Sequence, residues 1–206
     1  MITLDVLNKF LSESNERFEF PFALDDKVCF ANGYICLRVD RDQIDTGGVI
    51  LEMSNGPRPE SVLKLFGELP AEVTWTKIDS LELSAPERCL ECNGAGKDFK
   101  CYECGGDGSI DFDNDHNSYE VDCKSCGGNG RIAICRYCSG TGKYYEGQTP
   151  IGMAIFQTHF LHMLKELGEC EIAPTGEHAP ARIRFAGGDG LVMPMVMHQA
   201  AVKNAA

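Results

Sequence analysis

Hydrophobic positions over residues 1–85 follow two different periods. Val6, Leu7, Phe10 and Leu11 fall at helical spacing and predict a short N-terminal helix. Strand-like runs follow at 18–22, 28–30 and 34–39. Asn32 and Gly33 stand between the last two and signal a hairpin, because both tolerate positive φ. Residues 49–53 read as a further strand. Pro59 opens a helix with Val62, Leu63 and Phe66 on its apolar face, and Gly67 ends it. Val73-Thr-Trp-Thr and Leu81-Glu-Leu-Ser then alternate as strands do. Beyond residue 144 the pattern returns. A helix is predicted over 153–167, carrying Phe156, Phe160, Leu161 and Leu164 and stopped by Gly168. Strands are predicted at 169–173, 182–185 and 191–197. Gly187-Gly188-Asp189-Gly190 is expected to turn the chain between the last two, and the tail 199–206 is expected to be flexible.

Residues 86–143 break both periods. They are poor in Val, Leu and Ile and rich in Cys and Gly, so they cannot build an apolar core of their own. The simplest architecture is an α+β chain. Residues 1–85 and 144–198 form one α/β body, and 86–143 are inserted in a loop of it. Neither flank alone looks large enough for a core; two small flanking domains are the alternative.

Composition narrows the classes. At 43% hydrophobic the chain can bury a core, and no apolar run approaches the length of a membrane span. The opening MITLDVLNKF has neither a basic n-region nor a long apolar stretch, which predicts no signal peptide and a cytoplasmic location. The net charge is −12. Binding to nucleic-acid phosphates draws on Lys and Arg, so this acidity disfavours direct DNA binding unless the basic residues share one face. A protein partner is the easier reading.

Eight of the eleven cysteines fall in four Cys-x-x-Cys pairs. The motifs are Cys89-Leu-Glu-Cys92-Asn-Gly-Ala-Gly96, Cys101-Tyr-Glu-Cys104-Gly-Gly-Asp-Gly108, Cys123-Lys-Ser-Cys126-Gly-Gly-Asn-Gly130 and Cys135-Arg-Tyr-Cys138-Ser-Gly-Thr-Gly142. Each pair sets two thiolates on one tight turn. Zinc takes four ligands tetrahedrally, so two pairs must meet at each ion, giving two Zn2+. The glycines let the backbone curl round the sulfurs, and the amides freed that way can bond the thiolates. Buried or disulfide-linked cysteines would be the bland alternative for one pair. Four pairs with one glycine grammar exclude it, and a redox pair normally comes once. Four-cysteine sites are closed, which argues against catalytic zinc. His116 stands outside the motif grammar and reads as an exposed loop residue. Asp111, Asp113 and Asp115 lack the Gly and terminal Glu of a calcium loop and read as a solvated acidic tip.

These motifs resemble the cysteine-rich zinc-finger domain of the DnaJ chaperones, over residues 89–142. The resemblance implies a V-shaped β-hairpin arrangement in which the first and fourth motifs share one zinc and the second and third share the other. Cys89, Cys92, Cys135 and Cys138 would hold the first ion, and Cys101, Cys104, Cys123 and Cys126 the second. The spacing agrees: four residues separate motifs one and two, and four separate motifs three and four. Residues 109–122 would be the tip of the inner hairpin. The chain contains no His-Pro-Asp tripeptide and no Gly/Phe-rich linker, so a co-chaperone role does not follow from the resemblance. The same finger occurs on unrelated proteins as a protein-contact device.

The C-terminal flank is similar to the end of a bacterial sliding-clamp (DNA polymerase III β) domain. There a helix with a Phe-x-x-x-Tyr-Leu-like start leads into strands, and the chain closes on a Met-Pro-Met-like strand. Phe160-Leu161 and Val192-Met193-Pro194-Met195 occupy those places. An ordinary α/β domain remains the alternative. A single clamp-like domain would need several copies to close a ring, which brings a homo-oligomer with it. Its helices would offer DNA only Lys9, Lys64 and Lys165, with His159 and His162. Cys29, Cys36 and Cys170 read as small core residues, and Met193, Met195 and Met197 as packing on one strand face. No catalytic constellation stands out. The expected function is therefore a non-enzymatic zinc-binding adaptor. A clamp-like DNA accessory factor and a chaperone-like binder of unfolded chains are the alternatives.

Overall fold

The computed structural model describes residues 1–12, 16–54, 56–57, 59–135, 137–138 and 140–196. From the first residues, β1 (Ile2–Thr3) runs into α1 (Leu4–Asn8). A 3-10 turn (Glu16–Phe18) then leads to β2 (Phe22–Leu24), β3 (Lys27–Ala31), β4 (Ile35–Asp40) and β5 (Ile44–Asp45). α2 (Pro59–Gly67) and β6 (Thr76–Lys77) follow. The cysteine-rich stretch holds β7 (Glu87–Arg88), β8 (Lys97–Lys100), β9 (Ser109–Asp113), β10 (Ser118–Asp122), β11 (Arg131–Ile134) and β12 (Lys143–Tyr144). Last come β13 (Gln148–Ile151), β14 (Ala154–Gln157), α3 (Thr158–Lys165), β15 (Cys170–Ala173), β16 (Ala181–Phe185) and β17 (Gly188–Val192). The fold is mixed and strand-rich. It divides into two compact units, one of Met1–Leu83 with the residues from Gly147 onward, the other Ser84–Glu146.

The first unit is built on a seven-stranded sheet in the order β2-β3-β4-β17-β16-β15-β6. Every neighbour in it is antiparallel. β4 and β17, more than 140 positions apart, pair with Cys36 opposite Leu191. The order strand, helix, three strands occurs twice, as β1-α1-β2-β3-β4 and as β14-α3-β15-β16-β17, and the two blocks meet at that pair.

Strand alternation buries both faces of β3. Val28 and Phe30 join the larger core with Leu7, Phe10, Ile35, Leu37, Val39, Phe160, Leu161, Leu164, Ile172 and Ile183. Cys29 and Ala31 point the other way, into a smaller cluster with Phe22, Leu24 and Val62, against which Phe18, Cys36 and Phe66 pack. Beside that cluster the sheet carries a cross-strand row of alternating charge. Arg38 stands opposite Asp189, Asp189 opposite Arg184, Arg184 opposite Glu171, and Glu171 opposite Lys77. Arg38 bonds Asp189 through both Nε, at 3.1 Å, and a terminal nitrogen. Arg184 bonds Glu171. Each guanidinium also lies over a ring, Arg38 at 3.7 Å from Phe66 and Arg184 at 4.3 Å from Trp75.

Several elements differ from the sequence pattern. The helix predicted over 153–167 begins only at Thr158. Gly152, at φ 58, turns the chain, and Ala154 and Phe156 are buried on alternate positions of β14 instead of on a helix face. The run 18–22 is mostly irregular, between a 3-10 turn that ends at Phe18 and β2 that starts at Phe22, and 49–53 forms no strand; Val49 and Ile50 are exposed, following Gly47 and Gly48 at positive φ. Of 73–76 only Thr76 is in a strand, and Leu81 and Leu83 pack against the core without pairing. On α2, Val62 is buried and Phe66 packs inward, but Leu63 faces solvent. The hairpin at Asn32-Gly33 forms with only Gly33 at positive φ; Asn32 acts through its side chain, whose Oδ1 accepts the N–H groups of Tyr34 and Ile35. Gly188 and Gly190 lie inside β17 and not in the turn. A Cβ there would stand 2.3 Å from the Arg38 carbonyl oxygen and 2.5 Å from that of Cys36. The strand predicted over 191–197 ends as regular strand at Val192, while Met197 and the tail 199–206 lie outside the described residues. Cys29 and Cys170 are buried and Cys36 is partly so.

Candidate metal centres

Within Ser84–Glu146 the chain goes out and back through three antiparallel pairs: β7 with β12, β8 with β11, and β9 with β10. A pair of CxxCxGxG turns interrupts the ladder after the first pair and again after the second. Each turn closes on itself in the same way. The N–H of the last glycine donates to the second cysteine sulfur, Gly96 to Cys92 at 3.2 Å, Gly108 to Cys104 at 3.3 Å, Gly130 to Cys126 at 3.2 Å and Gly142 to Cys138 at 3.2 Å. Facing turns then exchange backbone bonds. Cys89 N donates to Gly142 O and Cys135 N to Gly96 O, while Cys101 N donates to Gly130 O and Cys123 N to Gly108 O.

That exchange brings the sulfurs into two groups of four, Cys89, Cys92, Cys135 and Cys138, and Cys101, Cys104, Cys123 and Cys126. Within each group all the sulfurs lie within 4.8 Å of one another. The cross-turn separations are 3.9 Å for Cys89–Cys135, 3.7 Å for Cys92–Cys138, 3.8 Å for Cys101–Cys123 and 3.8 Å for Cys104–Cys126. A tetrahedron of thiolates with Zn–S bonds near 2.3 Å has edges of about 3.8 Å, so the donor set fits zinc in both type and size. Seven of the eight cysteines are buried and Cys104 is partly so. The two groups are positioned to bind two zinc ions, each with its four places taken by protein.

The polar surroundings bias the thiols. Burial raises the Cys92 thiol, but the Gly96 N–H and the thiols of Cys89, Cys138 and Cys135 outweigh it and bring it down to about 7. Cys104 reaches about 7 in the same way, with burial opposed by the N–H groups of Gly108 and Gly106 and by the thiols of Cys101 and Cys126. Cys123 goes the other way. Burial, with the thiols of Cys101 and Cys126, pushes it up to about 12 against the N–H groups of Cys126 and Ser125. Its sulfur lies 3.7 Å from the Glu103 carboxylate, a neighbour the motif spacing does not reveal.

Only a few apolar side chains support the centres. Phe99 packs on the first group, and Ile110 and Ile132 on the second. Phe99 and Ile132 are cross-strand partners in the ladder between the two. His116, Asp111, Asp113 and Asp115 are exposed at the end of the β9–β10 hairpin, away from both groups. An acidic tip describes only half of that hairpin. Ile110, Phe112, Tyr119 and Val121 alternate with the acids, a period-two signal present in the sequence and masked by the charge.

No protein-family model matches the chain. It is similar to the DnaJ chaperone proteins of Listeria monocytogenes serotypes 4a and 4b, at 31% identity over 110 residues in each case. The match covers 50% of this chain and 27% of those relatives, so the chain spans only about a quarter of their length. The similarity and the two four-cysteine groups together fit a DnaJ-type zinc-finger region. Among the described residues no helix is long and apolar enough to cross a membrane.

Proposed function

We propose that Ser84–Glu146 is a zinc-stiffened protein-contact arm and that the chain works as a non-enzymatic adaptor. One observation carries the reading. All eight motif cysteines are spent in two closed sites, which leaves the metals no open position for chemistry. Meanwhile the large side chains beside the sulfurs point outward: Leu90, Tyr102 and Tyr137 are all largely exposed. Tyrosine and leucine held on a metal-braced surface suit a protein partner. Two zinc sites that need eight reduced thiols favour the cytoplasm. Affinity capture from the native host tests the reading, comparing the intact chain with Cys101→Ser/Cys104→Ser. Partners retained only by the intact chain are expected; an identical partner set for both would overturn it.

A chaperone-like role is the second reading, supported by the similarity to DnaJ proteins. It predicts that the zinc-loaded chain suppresses aggregation of a denatured client. A clamp-like DNA accessory role has support in the helix α3 leading into three antiparallel strands. Against it, Lys9 is engaged by Glu166. That role requires a multimer in solution and salt-sensitive DNA binding, which a mass measurement and a gel-shift series at rising salt would read.

A further inference from the structure

The hairpin of β9 and β10 presents a different chemistry on each face. Phe112 stands opposite Tyr119 and Ile110 opposite Val121, so these four share one face. Ile110 packs on the second cysteine group, while Phe112, Tyr119 and Val121 are 55%, 54% and 47% exposed. The other face carries Asp111 directly opposite Glu120, flanked by Asp113 and Asp122. Residues 109–122 hold five acidic residues and no Lys or Arg, whereas the rest of Ser84–Glu146 holds six acidic and seven basic. The charge therefore belongs to the hairpin and is not a share of the chain's average. Like charges directly across a ladder destabilise it, and the hairpin itself offers no cation to offset the Asp111–Glu120 pair.

Among the described residues the sheet consists of these two strands, so each is paired along one edge alone. All five residues of β10 are exposed. An unpaired edge with open N–H and C=O groups is a template for a further strand. A second copy of this chain suits that edge poorly, because it would lay another acidic row beside the first. A strand that alternates basic and apolar side chains suits both faces at once.

We propose that the free edge of β10 accepts an extended segment of a protein partner in which Lys or Arg alternates with apolar residues. The basic side chains line up beside Glu120 and Asp122, and the apolar ones extend the row of Phe112, Tyr119 and Val121. The proposal rests on the protein-contact reading above and supplies the partner's chemistry.

The zinc-loaded full chain is titrated with an alternating Lys–Val peptide, with the Glu–Val peptide as control, while backbone amides are followed by NMR. The Lys–Val peptide is expected to shift the amides of Ser118–Asp122 and slow their exchange, more weakly as salt rises. Glu120→Lys/Asp122→Lys, both at exposed positions, should keep two zincs per chain and turn the preference toward Glu–Val by about tenfold. An unchanged preference in a variant with two zincs overturns the proposal. So do shifts confined to other surfaces, self-association through the hairpin, or calcium chloride alone moving the same amides and blocking the peptide. If the peptide fails while zinc-dependent capture of partners persists, strand addition falls and the protein-contact reading stands. If that capture does not depend on zinc, the broader reading falls whatever the peptide does.

Discussion

At Gly142 a Cβ would stand 2.2 Å from the carbonyl oxygen of Gly94, and at Gly96 it would stand 2.3 Å from that of Gly140. Both residues also sit at positive φ, 70 and 72. A side chain there forces the two facing turns apart and misdirects the N–H that bonds the cysteine sulfur. Gly142→Ala should weaken zinc at the first site by roughly 10- to 100-fold and leave the second unchanged, measured by chelator competition with one site blocked. The thiols add a pH dependence. Zinc takes thiolates, so binding releases protons, and affinity falls as pH falls. In the metal-free protein the Cys92 and Cys104 thiols lie near 7 and Cys123 near 12, so zinc must displace protons from sulfur around neutrality. Apparent zinc affinity, measured by chelator competition, should therefore weaken as pH is lowered from 8 to 6. The eight ligand cysteines were legible in the sequence because one spacing recurs four times, and their division into two sets of four followed from the resemblance to the DnaJ zinc finger. Glu103, Phe99 and Ile132 were not, because their roles come from pairing across the ladder and no local pattern marks them.

Among the elements, the alternating row across β4, β17, β16, β15 and β6 is the feature most open to measurement. Asp189 stands between two guanidinium groups, and Asp189→Ala would take from Arg38 the carboxylate it bonds and leave Arg184 with Glu171 alone. A loss of about 1 kcal/mol is expected in denaturant unfolding, since cross-strand ion pairs contribute roughly 0.2–1 kcal/mol each. Glu171 titrates in the same row. The hydrogen bond from Arg184 holds its carboxyl below the ordinary 4.5, against burial, with the charges of Arg184 and Lys77 adding to it. A carboxylate with a depressed folded pKa stabilises above its unfolded value and loses that contribution as pH falls through the folded one. The unfolding midpoint should thus drop less between pH 6 and pH 3 in Glu171→Gln than in the parent chain. Strands with clean alternation, such as β4, β15 and β16, were readable from pattern alone. The first half of the helix predicted over 153–167 was not. Apolar residues at 154 and 156 satisfy a strand as well as a helix, and the turn at Gly152 with pairing to β13 decides between them.

For the whole molecule the contrast lies in what each unit uses as a core. The first is organised by packed apolar side chains and the second by two groups of sulfur atoms. Leu161 is fully buried in the first, so Leu161→Ala should cost about 2–5 kcal/mol while zinc content stays at two per chain. Chelation should do the reverse. It should collapse the amide dispersion of Ser84–Glu146, whose folding free energy is largely metal binding, and spare the resonances of the seven-stranded sheet. Composition alone divided the sequence into these two kinds of core. The order of the sheet was beyond it, because the β4–β17 pairing joins positions that no local pattern relates.

The nesting of the two centres also sets an order of assembly. The sulfurs of the inner centre close a span of 22 positions and those of the outer centre a span of 46. Halving a loop saves only about 0.6 kcal/mol of closure entropy, but once the inner centre is shut the outer one needs to fix only the short ladder between them. The finger should therefore fasten from its tip toward its base. With one equivalent of cadmium as a reporter, the inner four sulfurs should fill first, and on gradual chelation the outer four should empty first.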